Sequence, residues 1–153
     1  MTGYFKTDLK GFCYTPYLKD GQIVRKKVVL LNDVIWVDDE GNEHIAPRGF
    51  VCDLTSLPVS GVLFVKMGRH QRAAVPHDLF YAMKTNGKLW ADEQIKQAMD
   101  FDQVSSLRKK IIIAGLFVGG FVAWYKTGVV KIVDPKTMKT VSEKKYENLI
   151  WGK

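Results

Sequence analysis

The segment His77-Asp78-Leu79-Phe80-Tyr81 places an imidazole, a carboxylate and a phenol close together in the chain. On an α-helix, side chains four residues apart share one face, so His77 and Tyr81 lie one above the other. Asp78 is rotated by about 100° from His77 and reaches the same cavity from the side. Because an imidazole beside carboxylates can act as a general base on water, the pattern indicates hydrolytic chemistry.

Three other polar residues are predicted to lie near this segment. Asp92 is in the first turn of the next predicted helix, and it approaches the His77 helix if the two helices pack antiparallel across the turn at 86–87. Asp53 and Ser56 lie in a polar turn that follows a predicted strand. We therefore predict a catalytic cluster made of His77, Asp78, Tyr81, Asp92, Asp53 and Ser56.

Carboxylate oxygens are the ligands that hard cations such as calcium prefer. We predict that Asp78 and Asp53 supply them if the cofactor is calcium or another divalent cation. Each residue also has a purely structural interpretation. Asp53 accepts backbone hydrogen bonds in an Asx-turn, Asp92 stabilises a helix terminus, and Tyr81 lies in the core. The pair His77-Asp78 interrupts an apolar stretch and therefore carries most of the functional interpretation.

Pro76 determines how the helix presents His77 and Asp78. Proline is tolerated in the first helical turn and disruptive in the interior, where it removes a donor and clashes with the preceding turn. The sequence leaves two alternatives open. Either the helix begins near Pro76, where its dipole favours an ionised Asp78, or the helix kinks at Pro76.

The elements that must position these residues are predicted from hydrophobic periodicity. Residues 11–51 contain β-branched runs separated by turns, including a hairpin around the acidic loop 38–42. Helical patterns follow at 71–83, 88–101 and 104–125, then a strand at 129–133 and a short helix capped by Ser142 that includes Tyr146, Leu149 and Ile150. Strands followed by helices favour an α+β fold, in which N-terminal antiparallel β-hairpins or a small sheet pack against three or so C-terminal helices.

Length and charge favour one folded domain with a basic C-terminal segment. The 153 residues are 46% hydrophobic and 25% charged, as in ordinary folded proteins. We expect a single domain over 1–153, with its core at about 11–126 and a basic extension at 127–153.

Residues 104–153 hold 10 basic and 3 acidic side chains, which accounts for the net charge of +7 and suits an anionic membrane surface or an acidic partner. Aromatic and basic residues do not alternate, so we do not expect nucleic acid.

The run Ile111–Tyr125 carries no charge and is flanked by basic residues at 108–110 and at Lys126. A transmembrane helix needs about 20 apolar residues. We therefore expect no membrane span and instead a buried helix against the sheet, with Gly115 and Gly119 allowing close approach. Peripheral contact with a membrane through the basic flanks is the alternative. The N-terminus lacks the apolar core of a signal peptide, so we expect a cytoplasmic location.

Three motifs in order, APRGFVCDLTSLP at 46–58, RAAVPHDLFY at 72–81 and AD at 91–92, resemble a phage and prophage family catalogued as domain of unknown function 1353. The similarity covers roughly residues 20–125, and family members usually carry an aliphatic residue where this chain has Pro76. The resemblance implies a bacteriophage origin and a compact domain. It also implies other phage proteins as partners and a location in the host cytoplasm or the virion, without an established activity.

The pattern His-Asp-x-x-Tyr, followed by an Asp on a neighbouring helix, is similar to the site of secreted phospholipases of the A2 type. That similarity implies His77 as the general base and Asp78 as a calcium ligand. It also implies that Tyr81 and Asp92 orient His77. The Gly-rich calcium loop and the disulfides of those enzymes are absent from this sequence. The similarity therefore concerns the site and not the family.

Two functions follow from these observations. One is a phage-encoded, metal-assisted hydrolase acting on lipid or cell-wall material. The other is a non-enzymatic virion structural or accessory protein, in which the polar cluster stabilises the fold and the basic segment docks on a partner. An enzyme should show a cleft over His77 with Asp78 exposed to it. A structural protein should show these side chains buried, mutually hydrogen-bonded and without a pocket.

Overall fold

The computed structural model describes residues 1–54 and 70–147. Within them, antiparallel strands come first, helices follow, and a β-hairpin comes last, which confirms the predicted α+β class. The strands are β1 Tyr4–Phe5, β2 Tyr14–Lys19, β3 Gln22–Leu30, β4 Val34–Val37, β5 Glu43–Ala46, β6 Val51–Cys52, β7 Val129–Val133 and β8 Thr140–Lys145. The helices are α1 His70–Met83, α2 Lys88–Phe101 and α3 Ser106–Lys126, and a short 3-10 helix spans Leu9–Gly11.

Antiparallel pairing joins the strands into small sheets with the orders β1-β4-β5, β2-β3-β6 and β7-β8. The β4–β5 hairpin is the one predicted around the acidic loop. The buried Asp38 carboxylate shapes this loop, because it accepts the backbone N–H groups of Glu40 and Asn42 and lies 2.8 Å from His44 Nε2. The His44 ring packs edge-on against Phe80, so this histidine serves the fold.

Gly49 connects the C-terminal hairpin to the N-terminal sheets. Its carbonyl accepts the Val133 N–H at 2.9 Å, and Phe50 forms a bridge with Ile132. Gly49 has a φ of 88°, and a Cβ there would lie 2.2 Å from the Val133 carbonyl oxygen. Only glycine permits this approach. As a result β7 contributes Val130 to the main hydrophobic core.

The predicted short helix capped by Ser142 is wrong. Residues 140–145 form β8, in which Ser142 lies opposite Ile132. Pairing with β7 satisfies the backbone donors and acceptors of this segment, and local capping propensity does not anticipate a partner strand. Leu149 and Ile150, which were placed in the same helix, lie outside the described residues.

Helix α1 lies at the centre of the molecule and is buried on nearly all sides. It packs against α2, β4, β5 and β7, in a core whose largest fully buried side chains include Trp36, Phe80 and Met99. Pro76 lies in the interior of α1, so the alternative in which the helix begins near Pro76 is wrong. Because proline has no N–H, the carbonyl of Arg72 loses its helical donor.

Helix α3 packs against the fold with one face and exposes the other. Ile112, Gly120 and Trp124 are buried. A Cβ at Gly120 would lie 2.8 Å from Lys88 Cε and 3.1 Å from the Tyr81 hydroxyl, so the helix approaches these side chains closely. The prediction of a buried helix therefore holds for one face only. Within residues 1–54 and 70–147, no helix is long and apolar enough to cross a membrane.

Arg72 of α1 joins several parts of the fold from a buried position. Its guanidinium pairs with Asp102, donates to the Thr7 carbonyl at 2.7 Å and lies 4.2 Å from the centroid of the Phe5 ring. Both members of the ion pair are buried. Removing one member of such a pair leaves the other charge buried without compensation.

Replacing Arg72→Met should therefore lower the free energy of unfolding by about 3–5 kcal/mol. Urea unfolding of the wild type and the variant measures the loss. Lys96→Met is the matched control, because Lys96 forms an exposed pair with Glu93 and should contribute less than about 1 kcal/mol. Equal losses in the two variants would contradict this reading of the buried pair.

Candidate functional site

Asp92 is the common acceptor of the predicted cluster. Its Oδ1 accepts a hydrogen bond from the Tyr81 hydroxyl at 2.6 Å and lies 3.0 Å from His77 Nε2. Its Oδ2 pairs with Lys88 Nζ. The rings of His77 and Tyr81 lie 4.1 Å apart between centroids. The packing of α1 on α2 thus brings His77, Tyr81 and Asp92 together.

Asp92 lies one turn inside α2, because the helix begins at Lys88, and not in the first turn as predicted. Lys88, four residues earlier on the same face, pairs with it from a buried position. Lys88 Nζ also lies 3.4 Å from the Leu116 carbonyl and 4.6 Å from the centroid of the Phe121 ring. Sequence reasoning missed Lys88, although its spacing from Asp92 on a predicted helix indicated such a pair.

The contacts of the cluster determine its protonation. Burial tends to raise the pKa of Asp92, but hydrogen bonds from His77, Lys88 and Tyr81 lower that pKa below its usual value, so Asp92 is ionised. Burial lowers the pKa of His77, against the opposing effect of Asp92, so the imidazole is neutral at pH 7. Since an ionised carboxylate only accepts, Nε2 carries the His77 proton and Nδ1 is the basic nitrogen.

Asp78 belongs to a neighbouring group at the end of β6. Its Oδ2 accepts the backbone N–H of Asp53 at 2.8 Å. Burial raises the pKa of Asp78 well above its usual value, and the negative charge of Asp53 adds to this shift. Burial also raises the pKa of the Cys52 thiol. The environment therefore favours a neutral Asp78 carboxyl, which can donate a hydrogen bond.

A cavity of about 400 Å³ lies between α1, α3, β6 and the beginning of β7. The ionisable side chains that line it include Lys27, Asp53, His70, His77, Asp78 and Tyr81. Apolar parts of its wall come from Phe50, Ile95, Ile112 and Leu116, and α3 reaches it at Gly115 and Gly119. A cavity of this size, mostly apolar with a few polar groups, suits a small ligand or one end of a larger one.

His70 is a cavity residue that the sequence prediction left out. It is the first residue of α1 in the described chain and is 4% exposed. Neither ring nitrogen has a hydrogen-bond partner among the described residues. Burial, and then the positive charge of Arg108, lower the pKa of His70 to about 4. The signal in the sequence was its spacing of two helical turns from His77, which puts both on one face.

One predicted site residue lies outside the described structure, and the predicted cation site is not found within it. Ser56 lies outside the described residues. Among residues 1–54 and 70–147, no group of three or more His, Cys, Asp or Glu side chains could hold a metal ion. Asp53 and Asp78 are neighbours, but the contact between them is the backbone hydrogen bond. The predicted cation site therefore has no support in this part of the chain.

The sequence model of a family described as "Protein of unknown function (DUF1353)" matches residues 28–116. The chain belongs to this family. The matched region contains β6, α1 and α2, which carry the cluster, and it ends inside α3. No curated protein and no solved structure gives a significant match.

Replacing His70→Phe should make the protein less sensitive to acid. Unfolded His70 has a pKa of 6.5 and folded His70 a pKa of about 4, so the folded state loses stability as the pH falls through this window. Between about pH 7 and about pH 4, the free energy of unfolding of the wild type should fall by about 2–3 kcal/mol relative to the variant. Urea unfolding at each pH measures the difference, and parallel pH profiles would contradict it.

Asp92→Asn should lower the pKa of His77 further, because it removes the carboxylate whose hydrogen bond and charge raise that pKa. Lys88→Met should raise the pKa of His77, because the Lys88 charge lowers it. Titration of the His77 ring protons by NMR measures both changes. Shifts in the same direction, or the absence of any shift, would show that these neighbours do not control the imidazole.

Proposed function

We propose that the chain is a hydrolase in which His77 activates a water molecule inside the cavity. The observation that carries the proposal concerns the two nitrogens of the imidazole. Asp92 engages Nε2, while Nδ1 has no hydrogen-bond partner among the described residues, and His77 lines the cavity. This asymmetry suits a general base, because the proton on Nε2 is held and Nδ1 is left to accept another.

In the proposed reaction, Nδ1 of His77 takes a proton from water as the water oxygen attacks the carbonyl carbon of an ester. The tetrahedral intermediate then expels the alkoxide, which receives the same proton from the imidazolium. Asp92 stabilises the imidazolium through Nε2–H, which is the role a carboxylate has beside a catalytic histidine. Tyr81 and Lys88 hold Asp92 in position through their own contacts with its oxygens.

Asp78 is proposed to stabilise the developing oxyanion. A carboxyl group that burial keeps neutral can donate a hydrogen bond to negative charge as it forms. Asp78 follows His77 directly and lines the same cavity. A divalent cation such as calcium, bound by Asp78 and Asp53, is the alternative for the same role, since a bound cation favours the ionised form of both carboxyls.

The walls of the cavity favour a lipid ester over cell-wall material as substrate. Phe50, Ile95, Ile112 and Leu116 offer apolar surface to an acyl chain. A glycan would bury hydroxyl groups against the same side chains without hydrogen-bond partners, which is unfavourable. We therefore propose an acyl ester as the substrate class.

A bacteriophage origin is part of the proposal and rests on the motif resemblance. A hydrolase of this kind would act on the host envelope during infection or lysis. Neighbouring genes for capsid, tail or lysis proteins would support this origin, and a neighbourhood of bacterial metabolic genes would contradict it.

The burial of the cluster favours a second, non-enzymatic function. His77 is 6% exposed, and the cluster it forms with Asp92, Tyr81 and Lys88 joins α1, α2 and α3 through one connected set of hydrogen bonds. In a virion structural or accessory protein, this set would stabilise the fold while the basic C-terminal segment docks on other phage proteins. The cavity beside His77 is the feature this function leaves unexplained.

Hydrolysis of a p-nitrophenyl acyl ester tests the proposed roles. His77→Gln should reduce the rate by at least about 100-fold, the usual contribution of a general base. The wild type should lose activity below a pKa that lies under 6.5, because burial lowers the pKa of His77. It should also lose activity at high pH as Asp78 ionises. Asp78→Asn keeps a hydrogen-bond donor and should remove only the high-pH loss.

Controls separate catalysis from folding and from metal binding. Circular dichroism and melting curves establish whether each variant folds, and parallel assays with EDTA, calcium and magnesium test the cation alternative. A folded His77→Gln variant with the wild-type rate would refute the role of His77. A wild type without turnover under any of these conditions, combined with unfolding of the variant, would favour the structural function.

A further inference from the structure

Helix α3 carries an apolar stripe on the face that points away from the core. Within the helix the exposed positions recur three or four residues apart, so they lie along one side. The most exposed are Phe117 at 80% and Val118 at 78%. We call this face the outer stripe; it consists of Leu107, Ala114, Phe117, Val118, Phe121, Val122 and Tyr125.

Basic side chains accompany the outer stripe at both ends. Lys110 is exposed on the same side near the beginning of α3, Arg108 is half-buried, and Lys126 is exposed at the end of the helix. Helix α3 contains no acidic residue. The stripe therefore combines apolar surface with positive charge, which complements a surface that is apolar inside and anionic outside.

A second copy of the chain fits this stripe poorly. It is about 27 Å long along the helix axis, and basic side chains lie at both of its ends. Packing two stripes against each other would also bring the basic ends of both helices together. In addition, the net charge of +7 repels a second copy and attracts an anionic partner.

We propose that the outer stripe docks in the plane of an anionic lipid bilayer. The aromatic and aliphatic side chains would enter the boundary between headgroups and acyl chains, to a depth of about 5–10 Å. Lys110 and Lys126 would contact lipid phosphates at the two ends. The helix lies on the bilayer and does not cross it, in agreement with the absence of a spanning helix from residues 1–54 and 70–147.

Docking would bring the cavity close to the lipid. Gly115, Leu116 and Gly119 line the cavity from the inner side of α3, while Phe117 and Val118 lie on its outer side. The cavity is therefore separated from the docked bilayer by about one helix diameter, on the order of 10 Å. This last step rests on the proposed hydrolase, whereas the docking itself does not.

Sedimentation with lipid vesicles tests the docking. The full chain should bind vesicles that contain phosphatidylglycerol, bind pure phosphatidylcholine vesicles weakly, and be released by salt because the basic contacts are screened. The variant Phe117→Ser/Val118→Ser should bind the anionic vesicles at least about tenfold more weakly. Ile23→Ser/Val141→Ser is the matched control, because both residues are exposed apolar side chains on distant strands, and it should bind as the wild type does.

Two results would overturn the docking. One is equal binding of anionic vesicles by the wild type and the Phe117→Ser/Val118→Ser variant. The other is a wild type that is dimeric in analytical ultracentrifugation while this variant is monomeric, which would assign the stripe to a second copy. Hydrolysis of a soluble short-chain ester distinguishes the two proposals. The stripe variant should retain this activity, because the docking surface is separate from the site. If the hydrolase proposal is wrong, the wild type lacks the activity as well.

Discussion

The burial of α1 is the constraint on which the other contacts depend, because this helix carries polar side chains on several sides. His70, Arg72 and His77 are all buried. A buried polar group must either find a partner or adopt its neutral form. Arg72 pairs with Asp102, His77 contacts Asp92, and His70 remains neutral because its pKa is lowered to about 4. Asp92 lies in α2 and Asp102 caps the C-terminal end of α2. These polar contacts therefore define how α2 lies on α1.

The same constraint positions α3. Lys88 pairs with Asp92 and also reaches the Leu116 carbonyl, and Gly120 allows the helix to approach this lysine. At the end of α1, Lys84 donates to the carbonyl of Trp124 and lies 3.3 Å from the Thr127 hydroxyl. These lysines contact carbonyl groups along α3 and at its C-terminal end, where the helix dipole favours a positive charge. One face of α3 is thereby fixed against the site, and its other apolar face is left exposed.

The contacts that stabilise the fold also make the site asymmetric. Asp92 holds one nitrogen of His77, and the cavity lies beside the ring. Asp78, the next residue, points its carboxyl to the Asp53 backbone in an environment that favours the neutral form. A structural cluster and a catalytic cluster would share these contacts, and the cavity is the feature that distinguishes them. For this reason the decisive measurements concern protonation and turnover and not stability alone.

The sequence by itself determined the α+β class, the three described helices and the shared face of His77 and Tyr81 on α1. These follow from local periodicity, because hydrophobic spacing and positions four residues apart specify helix faces without knowledge of distant partners. The sequence also anticipated that Asp78 reaches the cavity beside His77 from the side.

Only the tertiary structure decided the rest. The segment at 140–145 became a strand because β7 supplied its hydrogen-bond partner, against the prediction of a helix capped by Ser142. The burial of His70 and Lys88, and the neutral form favoured for Asp78, depend on segments that remove water from these groups. Desolvation and strand pairing are long-range effects, so residue types and spacing alone do not specify them.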